Sequence, residues 1–165
     1  FIDDSNSTSI LPGGELGRGV EEVGLDRRDI EKATRIEGSH DGYSRAYGFT
    51  HSRILILRSD GMELRGEDTL LPNGKVGPKD DVPCHIRFHL GPNIELAAGN
   101  DGRSIVMRLA DGTSWLFFSS AGELDVDESL WVDEYGTPHP GQQIIIAASA
   151  GKGGLTVGWQ IRFLG

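Results

Sequence analysis

The chain has 165 residues with 25 acidic and 16 basic side chains, which give a formal net charge of -9. A field of this sign repels nucleic acid, anionic membrane surfaces and sulfated polymers at long range, so nucleic acid is excluded as the partner class. The single Cys84 rules out an internal disulfide, and no apolar run approaches the roughly 20 residues of a membrane-spanning helix. The length fits one domain over residues 1–165.

The amino-terminal part is polar and rich in turn-forming residues. Phe1 and Ile2 are typical of the end of an apolar strand, and residues 3–19 are predicted to form a loop that contains Pro12-Gly13-Gly14. Because the chain starts inside an apolar segment and without Met, we expect it to be a carboxy-terminal fragment of a longer protein. No targeting signal is recognised, so the expected compartment stays open between periplasm and cytoplasm.

Alternating apolar and polar residues predict the first strands. Val23 and Leu25 begin a strand that is expected to turn near Arg28-Asp29, and a second strand is expected to return over residues 31–39. The next run contains Ile54-Leu55-Ile56-Leu57, which is apolar on both faces. This pattern is typical of a strand that is covered on both sides near the middle of a domain.

Three Asp-Gly steps separate alternating runs later in the chain, namely Asp60-Gly61, Asp101-Gly102 and Asp111-Gly112. Asp-Gly accepts the positive φ angles of type I′ turns, so each step predicts a tight antiparallel hairpin. The flanking strands are expected over residues 62–71, 93–98, 103–109 and 113–119.

A loop is predicted from Pro72 to Pro83, and a strand is predicted over residues 84–90. The apolar residues of this strand are expected to face the core: Ile86, Phe88 and Leu90. The opposite face carries His85, Arg87 and His89, and it either docks onto another domain or a sugar or is a solvated outer face. The two histidines would be about 13 Å apart, too far for one metal ion.

The last part of the chain also predicts strands. Residues 123–134 form either a strand pair or one long bent strand, residues 142–148 a buried strand, and residues 151–154 a loose hairpin. The final strand turns five large apolar side chains to one face: Leu155, Val157, Trp159, Ile161 and Phe163. Roughly eleven strands exceed the five or six of a usual sheet, so we expect an all-β fold, a two-layer antiparallel β-sandwich.

Few residues are candidates for chemistry. The run from Ser39 to Tyr43 brings His40 and Asp41 together as a base with an orienting carboxylate, as part of a metal site, or as a simple turn, and the turn is favoured. Gly66-Glu67-Asp68 lacks the oxygen pattern of a calcium loop, so a strand-end turn is favoured there. Trp131 is the best candidate for an exposed ring that stacks on a sugar. No cofactor or metal site is predicted.

Several segments, in order along the whole chain, resemble the C-terminal β-sandwich domain of the heparinase II/III-like family of bacterial polysaccharide lyases. They are Ile2-Asp3-Asp4-Ser5-Asn6-Ser7-Thr8, Ser39-His40-Asp41-Gly42-Tyr43, Leu64-Arg65-Gly66-Glu67-Asp68-Thr69-Leu70, Ile86-Arg87-Phe88-His89-Leu90 and Gln142-Gln143-Ile144-Ile145. The ordered set is more specific than any one segment.

The resemblance implies that the longer protein cleaves uronic-acid polysaccharides by β-elimination, in a cleft between an N-terminal α/α toroid and the β-sandwich. It also implies that the catalytic Tyr and Asn lie in the toroid and that a His-rich motif lies upstream of Phe1. No catalytic or metal residue is therefore carried over to this chain. The implied partners are the toroid of the same protein and a uronic-acid polysaccharide, although the charge of -9 disfavours heparin for this chain alone.

Three functions follow as hypotheses: an accessory, inactive domain of a lyase, an independent carbohydrate-binding module that uses Trp131 and Tyr135, or a structural domain of a cell-envelope protein. The candidate residues for contacting substrate or another domain are His40, Tyr43, Arg87, His89 and Trp131.

Overall fold

The computed structural model describes residues 1–74 and 80–165. Within these ranges the regular structure consists of eleven strands and one short helix, α1 (Ser44–Tyr47). The strands are β1 (Val23–Ile30), β2 (Ala33–His40), β3 (Phe49–Arg58), β4 (Glu63–Pro72), β5 (Val82–His89), β6 (Glu95–Ala98), β7 (Ser104–Arg108), β8 (Ser114–Ser119), β9 (Glu123–Val132), β10 (Pro138–Ala150) and β11 (Leu155–Phe163). The predicted all-β class is confirmed.

The strands form two antiparallel sheets, as predicted for a β-sandwich. The larger sheet has eight strands in the order β1-β2-β3-β4-β11-β8-β7-β6, and the smaller has the order β5-β10-β9. Between them lies a core that includes Phe117, Ile144, Ile146, Val157 and Trp159. The final strand β11 inserts between β4 and β8, so its apolar face lies at the centre of the sandwich, as its alternating sequence predicts.

The Asp-Gly steps lie in hairpin turns, but the predicted type I′ geometry is wrong. Only the glycine of each step has a positive φ, such as 73° at Gly61. The Gly61 N–H donates to the Arg58 carbonyl at 2.9 Å, which fits a type I turn followed by a left-handed glycine. The Asp60 carboxylate accepts the backbone N–H of Met62 at 3.0 Å. The aspartate therefore stabilises the turn by its side chain rather than by its backbone angle.

Two predicted connections also differ from the structure. β1 continues to Ile30, so the turn lies at Glu31-Lys32 instead of Arg28-Asp29, with Lys32 at a φ of 59°. Gly151 and Gly154 form an antiparallel bridge, and the Gly154 N–H donates to the Gly151 carbonyl at 2.9 Å, so a tight turn is present as predicted. However, β10 and β11 belong to different sheets, so this turn leads the chain from one layer to the other. Part of the predicted loop from Pro72 to Pro83, residues 75–79, lies outside the described residues.

The prediction that β3 is covered on both sides is wrong. Its run from Ile54 to Ile56 is only half-buried, and Leu57 is 48% exposed. The alternative of one long strand over residues 123–134 is the correct one, since β9 is continuous from Glu123 to Val132.

The sheet face that carries the core continues over β1 and β2, where no layer formed by residues 1–74 or 80–165 covers it. The register pairs Leu25 with Gly38, Gly38 with Arg53, Arg53 with Asp68 and Asp68 with core residue Val157, and directly paired residues share a face. No described residue of β1 or β2 belongs to either core cluster. We call this surface the open face, and its apolar members are Val23, Leu25, Ile36 and Leu57.

Candidate functional site

A cavity of about 250 Å³ lies beside the open face, between β5 of the small sheet and strands β2 to β4 of the large sheet. The first two residues of the chain close one side of it, because Ile2 bridges to Cys84 along the free edge of β5. The polar side chains of the lining are His40, Tyr43, His51, Arg53, Asp68, His85, Arg87 and His89.

Asp68 organises the large-sheet side of this cavity. Its side chain is only 5% exposed. One carboxylate oxygen, Oδ1, accepts from Arg53 Nε at 2.7 Å and lies 2.8 Å from His51 Nε2. The other oxygen, Oδ2, accepts from the Trp159 indole N–H at 2.8 Å. The buried carboxylate is thus fully hydrogen-bonded and paired with a cation, as a buried charge requires.

Trp159 reaches Asp68 because a glycine lies below its ring. Gly66 is directly paired with Trp159 across β4 and β11. A Cβ atom added at Gly66 would overlap the indole ring. The predicted strand-end turn at Gly66-Glu67-Asp68 is therefore wrong, since these residues lie in the middle of β4 and build the support of the cavity.

Two histidines extend the network from Asp68, and their hydrogen bonds define their tautomers. The Gly42 N–H donates to His40 Nδ1 at 3.2 Å, so this nitrogen carries no proton. Neutral His40 then donates from Nε2 to His51 Nδ1 at 3.1 Å, and His51 donates from Nε2 to Asp68 at 2.8 Å. The chain of donors therefore runs in one direction, from the Gly42 backbone to the Asp68 carboxylate.

The pKa shifts agree with this arrangement. Burial and the neighbouring His51 lower the pKa of His40 below its ordinary value of 6.5. Burial alone would raise the pKa of Asp68, but its hydrogen bonds and the charge of Arg53 outweigh burial and lower the pKa below 3.8. Burial raises the pKa of the Tyr43 hydroxyl. At neutral pH the site thus combines a neutral imidazole, a neutral phenol and an ionised carboxylate.

Arg87 occupies the small-sheet side of the cavity. Its guanidinium lies 5.3 Å from the centre of the Phe1 ring, a cation–π distance. Its neighbour His85 is tied to Phe1 by backbone hydrogen bonds of 3.0 Å in both directions. His85, Arg87 and His89 are all among the residues that border the cavity, and His89 is also exposed to solvent.

Four of the five candidate residues from the sequence line this cavity, namely His40, Tyr43, Arg87 and His89. Trp131 lies elsewhere, on β9, with its ring 5.8 Å from that of His139. The expectation of an exposed ring is wrong for Trp131, which is half-buried, while Tyr135 is 85% exposed.

Sequence reasoning missed His51, Arg53 and Asp68 as members of the site. His51 and Arg53 stand two positions apart on β3, and the register of β3 with β2 and β4 brings them to His40 and Asp68. The signal for His51 and Arg53 was only that they stand at alternate positions of a predicted strand and therefore share one face. That alternation alone does not reveal which strands become neighbours.

Within residues 1–74 and 80–165, no group of three or more His, Cys, Asp or Glu side chains is placed to hold a metal ion. No helix in the described part of the chain is long and apolar enough to cross a membrane.

Solved structures of similar shape are found among polysaccharide lyases. The heparan sulfate lyase HepC from Pedobacter heparinus aligns with a TM-score of 0.71 at 8% identity, over 86% of this chain and 22% of that chain. A heparinase III aligns with a TM-score of 0.66 at 12% identity, over 96% of this chain and 23% of that chain. At such low identity these likenesses show a shared fold.

Comparison of the amino-acid sequence with known proteins identifies the family to which the chain belongs. FtsZ-localized protein C of Caulobacter vibrioides is 28% identical over 181 residues, which covers 97% of this chain and 31% of that protein, so the chain spans about a third of this curated relative. The family model described as heparinase II/III-like, C-terminal, matches residues 1–160, which confirms the resemblance found in the sequence. The chain therefore belongs to the heparinase II/III-like family and contains its C-terminal β-sandwich domain.

Proposed function

We propose that this chain is the accessory, non-catalytic β-sandwich of a heparinase II/III-like protein. It acts by docking against an N-terminal α/α toroid of the same protein, whose cleft cleaves uronic-acid polysaccharides by β-elimination. The observation that carries the proposal is the open face, where Val23 and Leu25 are 75% and 78% exposed on the core side of the large sheet. Exposed apolar surface of this kind is typical of an interface.

The chemistry of the cavity supports a non-catalytic role. Both ring nitrogens of His40 are engaged in hydrogen bonds, so neither is available to take a proton from a substrate. Burial raises the pKa of the Tyr43 hydroxyl, which disfavours its use as a base. Asp68 is enclosed by three donors. We assign the cavity residues His40, Tyr43, Arg87 and His89 to the border between the two domains.

Separate expression of the two domains tests the docking. Residues 1–165 and the toroid of the same protein are mixed, and their association is measured by isothermal titration calorimetry. We expect Leu25→Asp with Leu57→Asp to weaken association at least about a hundredfold, because two charges would be buried in an apolar interface. Leu130→Asp is the matched control. Leu130 is 69% exposed and lies on β9, an edge strand of the small sheet, whereas the open face belongs to the large sheet.

Both variants should unfold within about 0.5–1 kcal/mol of wild type, because the substituted side chains are exposed. Equal association of the open-face variant and the control would contradict the proposal, as would a wild-type pair that does not associate.

A second candidate function is a structural domain of a cell-envelope protein. It is favoured by the relative from Caulobacter vibrioides, whose name records localisation with FtsZ. A fluorescent fusion of the full-length protein that contains this chain tests the structural role. Co-localisation with FtsZ, together with no cleavage of any uronic-acid polysaccharide by the same protein, would support the structural role over the lyase role. The third hypothesis, an independent carbohydrate-binding module, would depend on the half-buried Trp131 and the exposed Tyr135.

A further inference from the structure

The hairpin of β9 and β10 extends past the end of the core. The directly paired Val126 and Ile144 belong to the core, and the next pair on the same face, Glu128 with Gln142, is exposed. All of residues 128–142 are described by the structure, and none of them belongs to either core cluster. We call residues 128–142 the hairpin end.

One face of the hairpin end is apolar and exposed. Leu130 is directly paired with Pro140, and Val132 with Pro138, so these four side chains share a face. Leu130 and Val132 are 69% and 58% exposed, and both prolines are also exposed. Core residue Val126 lies on the same side of β9, because alternate residues of a strand share a face. The core face of the small sheet therefore continues into four exposed apolar side chains, which we call the hairpin strip.

The opposite face holds the hairpin end in shape. The ring of Trp131 lies 5.8 Å from the ring of its directly paired neighbour His139. His139 Nε2 lies 2.8 Å from one carboxylate oxygen of Asp133, and the other oxygen accepts the backbone N–H groups of Tyr135 and Thr137. The hairpin strip is thus carried by a supported turn. A surface that is fixed before binding loses less conformational entropy on association.

The charge around the hairpin strip is entirely negative. Residues 123–138 contain no Lys or Arg, and their acidic residues are Glu123, Asp125, Asp127, Glu128, Asp133 and Glu134. Only Asp133 among these six forms an ion pair with residues 1–74 or 80–165. A second copy of this chain would bring like charges together, and an anionic membrane would be repelled. The complementary partner is a protein segment that carries both apolar and basic side chains.

The free edge of β9 is less suited to binding than its face. β9 lies at the edge of the small sheet. The backbone N–H groups of Val126 and Glu128 donate to the Oδ1 atoms of Asp125 and Asp127, each at 2.8 Å. Charged side chains on an edge strand oppose pairing with a further strand. Contact through the hairpin strip is therefore favoured over extension of the sheet.

We propose that the hairpin strip docks a second protein through a segment that combines apolar and basic side chains. The apolar side chains cover Leu130 and Val132, and the basic ones meet the surrounding carboxylates. Tyr135 at the tip, which is 85% exposed, extends the contact surface. The hairpin strip belongs to the small sheet and the open face to the large sheet, so this docking is tested independently of the toroid.

The test uses residues 1–165 and three synthetic peptides of equal length. The first alternates Leu with Lys, the second replaces every Leu by Ser, and the third replaces every Lys by Glu. Binding is followed by protein-detected NMR at physiological ionic strength, where attraction between charges beyond about 8 Å is screened. We expect only the first peptide to shift the signals of the hairpin strip saturably.

The double variant Leu130→Asp with Val132→Asp separates apolar docking from attraction by charge. It makes the chain more negative, so attraction by charge alone would strengthen binding of the Leu-Lys peptide. We expect this variant to weaken binding at least about tenfold, because charges would be buried against the apolar side chains. The matched control, Leu25→Asp with Leu57→Asp on the open face, adds the same charge and should change affinity less than about twofold.

The carboxylates are tested by Glu128→Gln with Glu134→Gln, which should weaken binding of the Leu-Lys peptide about threefold. If the double aspartate variant does not fold, Leu130→Ser with Val132→Ser should still weaken binding, since it removes apolar surface and keeps the net charge.

Four results would overturn the proposal. They are equal binding of the Ser-Lys peptide, stronger binding by the double aspartate variant, binding of the Leu-Lys peptide away from the hairpin strip, and no saturable binding at all. Two further results would assign the hairpin strip to another occupant and also overturn it. One is dimerisation of wild type that is lost in the double aspartate variant, and the other is loss of toroid association in that variant.

Discussion

Asp68 is the residue on which the site depends most. Its partners stand 17, 15 and 91 positions away in the sequence, at His51, Arg53 and Trp159. A carboxylate in an alternating strand indicates only a side chain on one face, and most such residues are solvated. Its burial depends on which strands become neighbours, so a search for local motifs favours a turn and misses the site.

Asp68→Asn should destabilise the chain by about 2–3 kcal/mol, because it removes the charge that pairs with Arg53 and weakens three hydrogen bonds. The loss stays below that of a fully buried pair since the Arg53 side chain is 39% exposed and can rehydrate. Urea unfolding gives the value. The neighbouring Glu67→Gln, at an exposed position on the other face of β4, should change stability by less than about 0.5 kcal/mol. Equal effects of the two variants would refute the assigned role.

His40 should make the stability of the chain depend on pH. Because its pKa is lowered below 6.5 in the folded state, the unfolded chain binds this proton more readily. Its stabilising contribution is therefore complete above about pH 6.5 and is lost as the pH falls through the lowered folded value. We expect the urea midpoint to fall between about pH 7.5 and 5, and to fall less in His40→Gln.

Nitrogen NMR of the histidine rings provides a direct check on the same network. His40 should carry its proton on Nε2 and none on Nδ1, because Nδ1 accepts from the Gly42 backbone. A proton on Nδ1 at neutral pH would show that the direction of the hydrogen-bond chain is wrong.

At the scale of elements, the local sequence predicts strands well and their neighbours poorly. The alternation of β11 predicts its buried face, and the Asp-Gly steps predict three hairpins. The position of β11 between β4 and β8 has no local signal, because it results from packing of the two layers. The same applies to the open face, since Val23 and Leu25 alternate like core residues although no second layer covers them.

The pairing of β4 with β11 makes a specific prediction about Gly66. Gly66→Ala should destabilise the chain by about 1–3 kcal/mol, since its methyl group would overlap the Trp159 ring and disturb the hydrogen bond to Asp68. Gly38→Ala on β2 is the matched control, because a Cβ there meets no atom within 4 Å. Thermal unfolding of both variants gives the comparison. A Gly38→Ala variant as unstable as Gly66→Ala would contradict the packing argument.

At the scale of the whole molecule, the chain is a β-sandwich whose smaller sheet is too narrow to cover the whole inner face of the larger sheet. Three strands cover eight, so part of the inner face and the cavity beside it are accessible. The formal net charge of -9 opposes the approach of long polyanions to this chain by itself. This combination supports the proposal that the domain contributes a docking surface to a larger protein, while the reaction takes place in its partner domain.

The most direct test of this account is a β-elimination assay on residues 1–165 alone. The chain is incubated with a panel of uronic-acid polysaccharides, and the absorbance of unsaturated uronate products is followed over time. We expect no product above the buffer rate, with wild type and His40→Gln indistinguishable. Product formation by the isolated chain that is lost in His40→Gln would contradict it.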